Sequence, residues 1–168
     1  YRNVAVGREA LRYNTTGIQN TGVGHLALWT NTSGSANTAM GHLALAGGTS
    51  SNNTAIGWSS LKSNTGDNNT ALGYASLFFN TSGANNTASG YKVLYSNTSG
   101  SRNTALGLEA GYSNTTGSFN TAIGYGALYS NTTSSENTAI GYQAVFANTT
   151  GVRNSGVGFQ ALYSNTTG

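Results

Sequence analysis

One phrase recurs from one end of this chain to the other, and its recurrence limits the possible folds more than any other feature. In residues 137–151 it reads N-T-A-I-G-Y-Q-A-V-F-A-N-T-T-G, and it restarts at Asn3, Asn20, Asn37, Asn53, Asn69, Asn86, Asn103, Asn120, Asn137 and Asn154. Successive starts lie 17 residues apart, except that the third and fourth copies hold 16. A fixed short period is the mark of a solenoid, in which a copy is one coil that buries its apolar side only when neighbours stack on it. Residues 1–168 are therefore expected to form a single repeat domain: all-β, a parallel solenoid of about ten coils of 17 residues.

Composition narrows the reading further. Only 7% of the residues are charged, Gly numbers 24, and there is neither Pro nor Cys. Such a polar, uncharged mixture suits disorder, but Ile, Leu, Val, Tyr and Phe return in fixed columns, which a disordered tract has no reason to maintain. Without Cys there is no disulfide frame or thiolate metal site. The net charge of +3 arises from scattered residues (Arg2, Arg8, Arg12, Lys62, Lys92, Arg102 and Arg153 against Glu9, Asp67, Glu109 and Glu136). Nucleic-acid binding calls for a dense cationic stripe, so no nucleic-acid partner is expected. No apolar run reaches the roughly 18 residues that span a bilayer, so this segment is not expected to insert in a membrane. It opens at Tyr1 without Met and reads as a piece of a longer fibre.

With the leading Asn as position one, position four is apolar in every copy but the sixth, where it is Ser89, and is expected to be buried. Position three is only Ala or Gly and is expected to form the opposite strand face, open to close backbone approach. Position five is Gly throughout (Gly7, Gly24, Gly41, Gly57, Gly73, Gly90, Gly107, Gly124, Gly141 and Gly158), which predicts a bend with φ > 0 or a place where no Cβ fits. The piece after it, with a small residue at position eight and mostly Leu at position nine, is expected to be a second strand. Each copy closes on an Asn-Thr-Thr-Gly type of turn, where Gly would take left-handed geometry, and the shortening of copies three and four falls in this turn. In-register stacking turns columns into ladders. Asn at positions one and twelve would form amide ladders. Aromatic ladders would run at position six (Trp58, Tyr74, Tyr91, Tyr125, Tyr142, Phe159) and position ten (Trp29, Phe78, Tyr95, Tyr112, Tyr129, Phe146, Tyr163).

Catalysis needs a nucleophile and base, or paired carboxylates, held together. Four acids, two His and no Cys offer neither, so no enzyme activity, cofactor or metal is expected. His25 and His42 fall at position six of adjacent copies, where they could share a metal with symmetry mates but more simply replace Tyr in the aromatic ladder. The Thr column at position two raises ice binding as an alternative, weakened because the place for a second Thr is held by the apolar position four. Sequons beginning at Asn14, Asn31, Asn80, Asn97, Asn114, Asn131, Asn148 and Asn165 fall in the turns, where glycosylation acceptors would be exposed.

The columns resemble the head repeats of trimeric autotransporter adhesins of the YadA type, whose consensus runs Ser-Val-Ala-Ile-Gly, two variable residues and Ala. The counterparts here are N-T-A-I-G-Y-Q-A at residues 137–144 and N-V-A-V-G-R-E-A at residues 3–10. The resemblance covers all ten copies and extends to repeats of bacterial surface fibres and phage tail fibres. It implies a left-handed parallel β-roll, three chains around one axis, and a place outside the cell, on the outer membrane or on a virion. The longer period and the Thr at position two depart from the family. On this reading the chain is an adhesive or structural fibre segment whose partners are its own copies and a host-surface protein or glycan. Trp58, Tyr74, Tyr91, Tyr125, Tyr129, Tyr142 and Tyr163 are the candidate ligand surface; a self-assembling, glycosylated filament subunit is the alternative.

Overall fold

The computed structural model describes residues 2–168. It is a parallel β-solenoid of about 9 turns with 17 residues per turn. Ten strands of three residues each, β1 (Val4–Val6), β2 (Thr21–Val23), β3 (Thr38–Met40), β4 (Thr54–Ile56), β5 (Thr70–Leu72), β6 (Thr87–Ser89), β7 (Thr104–Leu106), β8 (Thr121–Ile123), β9 (Thr138–Ile140) and β10 (Ser155–Val157), form one sheet in chain order. Every pairing is parallel and joins like to like, as in Thr121↔Thr138, Ala122↔Ala139 and Ile123↔Ile140. The 16-residue copies keep this register, with Ala39↔Ala55 and Ala55↔Ala71.

The strands are short because Gly ends each of them. Along the position-five column φ runs from 119° to 136°. In Gly7 to Gly141 an added Cβ would also stand 2.3–2.8 Å from the carbonyl oxygen of the equivalent Gly in the next coil. Both grounds for expecting Gly here therefore operate together.

The faces of the strand are the reverse of expectation. Position three is inside, with Ala39, Ala55, Ala71, Ala88 and Ala139 fully buried, while position four looks outward, leaving Val6 at 56% exposure and Leu106 at 48%. Depth explains the reversal. A Cβ added at Gly22 would meet Leu11 Cγ at 3.4 Å, so position three packs directly on the position-nine side chain of the preceding coil. Leu28, Leu45, Leu61, Leu77, Leu94 and Leu128 fill the coil from that side, and only a methyl group fits opposite them.

The second strand is absent; a curled segment takes its place. Positions seven and nine adopt left-handed backbone, as in Leu26 and Leu28 (φ 61° and 53°) or Gln143 and Val145 (φ 49° and 51°). In a strand, positions eight and nine would face opposite ways. The curl turns both inward, so Ala27 and Leu28, or Ala144 and Val145, are buried together. For side chains other than Gly this conformation costs roughly 1–2 kcal/mol per residue, offset by burial of Leu and by continued bonding between coils. The Leu11 N–H donates to Ala27 O at 3.0 Å and the Leu26 N–H donates to Arg8 O at 3.0 Å.

The turn Gly also differs from expectation. Gly17, Gly34, Gly83, Gly100 and Gly117 have no left-handed φ; each lacks a side chain because a Cβ would lie within 2.4 Å of a carbonyl oxygen in the next coil. The left-handed residue is instead the one preceding each new Asn, among them Gln19, Ala36, Asn85 and Arg102.

The amide ladders are present and form the polar half of the core. At position one, Oδ1 of Asn86 accepts from the Asn103 backbone N–H (2.9 Å) while Asn86 Nδ2 donates to Gly100 O (2.9 Å). At position twelve, Asn97 Nδ2 donates to Asn80 Oδ1 (2.6 Å) and to Gly100 O (2.9 Å), and Asn114 Nδ2 donates to Asn97 Oδ1 (2.8 Å). The position-twelve ladder breaks where the third copy has Gly48 in place of Asn, and it stops at Asn148, since Asn165 Nδ2 is buried without a partner. At the Gly48 break Asn31 Oδ1 is buried without a partner, and the Ser50 hydroxyl takes up the slack by accepting from Asn64 Nδ2 at 3.0 Å.

Candidate ligand surface

Stacking in register makes continuous columns of rings from the aromatic positions. At position six, His25, His42, Trp58, Tyr74 and Tyr91 follow one another with centroids 4.7–6.0 Å apart. Leu108 interrupts the column, which resumes as Tyr125, Tyr142 and Phe159 at 5.1 and 5.2 Å. His25 and His42 thus belong to the stack, 5.2 Å apart. No group of three potential metal ligands occurs among the described residues.

The position-ten column is the longer one. Phe78, Tyr95, Tyr112, Tyr129, Phe146 and Tyr163 stack without a break at 5.1–5.4 Å and within 22° of parallel. The two columns flank position seven on a common face, since Lys92 Nζ lies 5.3 Å from the Tyr91 ring and 5.4 Å from the Tyr95 ring.

The rings nominated from sequence divide between these columns. Trp58, Tyr74, Tyr91, Tyr125 and Tyr142 are 43–45% exposed and form an open strip. Tyr129 is half-buried, and burial, with a smaller contribution from Glu109, raises its phenol above the ordinary tyrosine range. Tyr163 is more open, with a stacked ring on one side only among the described residues.

Seven of the eight sequon asparagines have side-chain nitrogens tied into the ladder; Asn165 is half-buried with its nitrogen unpartnered. Asn31, Asn80, Asn97, Asn114, Asn131 and Asn148 are at most 1% exposed, and their side-chain nitrogens already donate within the amide ladder. Asn14 is only half-buried, but its Nδ2 likewise donates to Gly17 O (3.0 Å). The Asn-Thr-Thr signal reflects an internal ladder, and a glycan on that nitrogen would displace it.

Two features escaped the sequence reading. One is an exposed apolar stripe, Val6, Met40, Ile56, Leu72, Leu106, Ile140 and Val157, beside the partly exposed Thr column on the outer sheet face. Three-residue strands give no alternation long enough to show which face is wet. The other is a cleft of about 380 Å³ beside copies three and four, lined by Trp29, Thr30, Leu43, Ala46, Gly47, Lys62 and Ser63. Its signal was readable: position ten holds Ala46 and Lys62 there instead of rings. Compared with known protein families, characterised proteins and solved structures, the chain finds no match.

Proposed function

We propose that this chain is a structural and adhesive segment of an extracellular fibre, carried on a cell surface or a virion and working as a homotrimer of left-handed coils. The observation that carries the reading is the apolar stripe on the outer sheet face. A flat, in-register row of Val, Met, Ile and Leu is costly to leave in water, and rows of this kind mark association surfaces. Three chains meeting along their stripes would cover it and thicken a core that in each coil holds little more than Ala, Leu and Asn. The open rings from Trp58 to Tyr142 then remain outside. They offer a host protein or glycan many weak, identical contacts whose strength comes from multiplicity rather than depth.

Sedimentation equilibrium tests the assembly. Three chains per particle are expected, falling to one when Ile56 and Ile140 are both replaced by Glu with the circular dichroism spectrum retained; a native particle of one chain would overturn the trimer. Glycan and matrix-protein binding lost on replacing Tyr125 and Tyr142 by Ala would support the adhesive role, and unchanged binding would reduce the segment to a spacer.

The Thr column favours a second reading. Thr38, Thr54, Thr70, Thr121 and Thr138 pair in register on the same outer face, a regular hydroxyl row suited to ordered water. Thermal hysteresis in a freezing assay would favour ice binding over association.

A further inference from the structure

We propose that the cleft at the irregular copies is a binding slot for one acidic sugar residue, which enters the ring ladder where a ring is missing. From Phe78 to Tyr163 along position ten one ring occupies each coil, at a spacing of 5.1–5.4 Å. Between Trp29 and Phe78 two coils lack a ring, carrying Ala46 and Lys62. Lys62 fills its own place: its Nζ stands 5.1 Å from the Phe78 centroid, where the next ring of the stack would lie. The coil of Ala46 is left with a methyl group in a column of rings, and the cleft of about 380 Å³ opens there.

The walls define the occupant. Trp29 supplies an aromatic wall and Leu43 an apolar one, which suit the C–H face of a pyranose. Lys62 supplies a cation, and among the described residues no carboxylate pairs with it. Thr30 and Ser63 add hydroxyls, of which Thr30 Oγ1 is engaged, donating to Ala46 O and accepting from the Gly48 N–H. Trp29 Nε1 is shut from solvent with no partner, an unmet donor in the wall itself. A single ring with hydroxyls and one carboxylate answers the two apolar walls, the Ser63 hydroxyl and the Lys62 cation, and the size of the cleft lies within the range of small-ligand sites. The same coils carry the two shortened turns and the break at Gly48, so the slot, the change of period and the gap in the amide ladder coincide. The slot is independent of the trimer and of the exposed ring strip.

The test uses the whole chain with Trp58→Phe, which leaves Trp29 as the only indole. Galacturonic acid oligomers are titrated while Trp29 emission is followed, beside galactose oligomers of equal length and beside benzoate. A saturable change with the acidic oligomer, at least tenfold weaker with the neutral one, is expected. Ala46→Tyr should abolish it while leaving the melt unchanged or raised, because the ring stack is then filled. Lys62→Gln should weaken binding tenfold or more and Lys62→Arg should restore it; this pair decides the matter if Ala46→Tyr fails to fold. No saturable response, equal binding of neutral and acidic oligomers, preference for benzoate, or binding that survives Ala46→Tyr would each overturn the proposal.

Discussion

Glycine at position five answers two demands, and the chain itself supplies the means to separate them. Gly124 has φ 125° and its added Cβ would lie 2.4 Å from Gly141 O; Gly158 has φ 126° but nothing within 4 Å of an added Cβ among the described residues. Gly124→Ala should therefore cost both the conformational penalty and the clash, about 3 kcal/mol or more, whereas Gly158→Ala should cost only the former, about 1–2 kcal/mol. Urea titration of the two variants checks the difference. The opposite sign is expected where a side chain sits in the left-handed region to no advantage. Ala36 is exposed with φ 57°, and Ala36→Gly should stabilise by up to about 1 kcal/mol. Gly column, Asn columns and Leu column were all legible from sequence, because each residue type is chosen for its own chemistry in every coil. The left-handed Leu residues were not, since nothing in Leu itself announces φ > 0.

At the scale of the element, the ladders hold the coils in register. Asn97→Ala would leave Asn80 Oδ1 without a partner and take one of two hydrogen bonds from both Gly100 O and Asn114 Nδ2. With roughly 1–3 kcal/mol for a buried group left unpaired, a loss of about 1–3 kcal/mol in chemical denaturation is expected. The aromatic stack has a pH dependence of definite sign. Burial holds the Tyr129 phenol above its ordinary value, so folding favours the neutral form. Its contribution is whole below about pH 10, the ordinary tyrosine value, and is lost as pH rises through the raised one. Comparing melts of the parent and Tyr129→Phe from pH 8 to 11 should show the parent losing more stability at the alkaline end. Which strand face is buried could not be read here, because the decision rests on tertiary depth: a Leu arriving from the other side of the same coil leaves room for Ala alone. The second strand failed for a related reason. Two adjacent side chains, positions eight and nine, are both needed inside, and an extended strand cannot place both there.

For the molecule as a whole, a coil contacts only its neighbours, so whole copies should be removable. Excising residues 103–119 sets Thr87 against Thr121 and joins the two parts of the position-six stack by bringing Tyr91 beside Tyr125. The shortened chain is expected to keep its β-sheet circular dichroism and melt within about 5 °C of the parent. Deleting Ala105 alone should instead lower the melt by more than excising the whole copy, because Leu106 then falls at the inward position three and the seventh coil loses register with its neighbours. The bonds between coils also have a mechanical consequence. They run along the length of the solenoid, so tension on the two ends would load them one layer at a time. Each layer that yields frees 17 residues, about 56–61 Å of slack. Under force the segment would give way in equal steps and recover from whichever layers still hold, behaving as a graduated shock absorber.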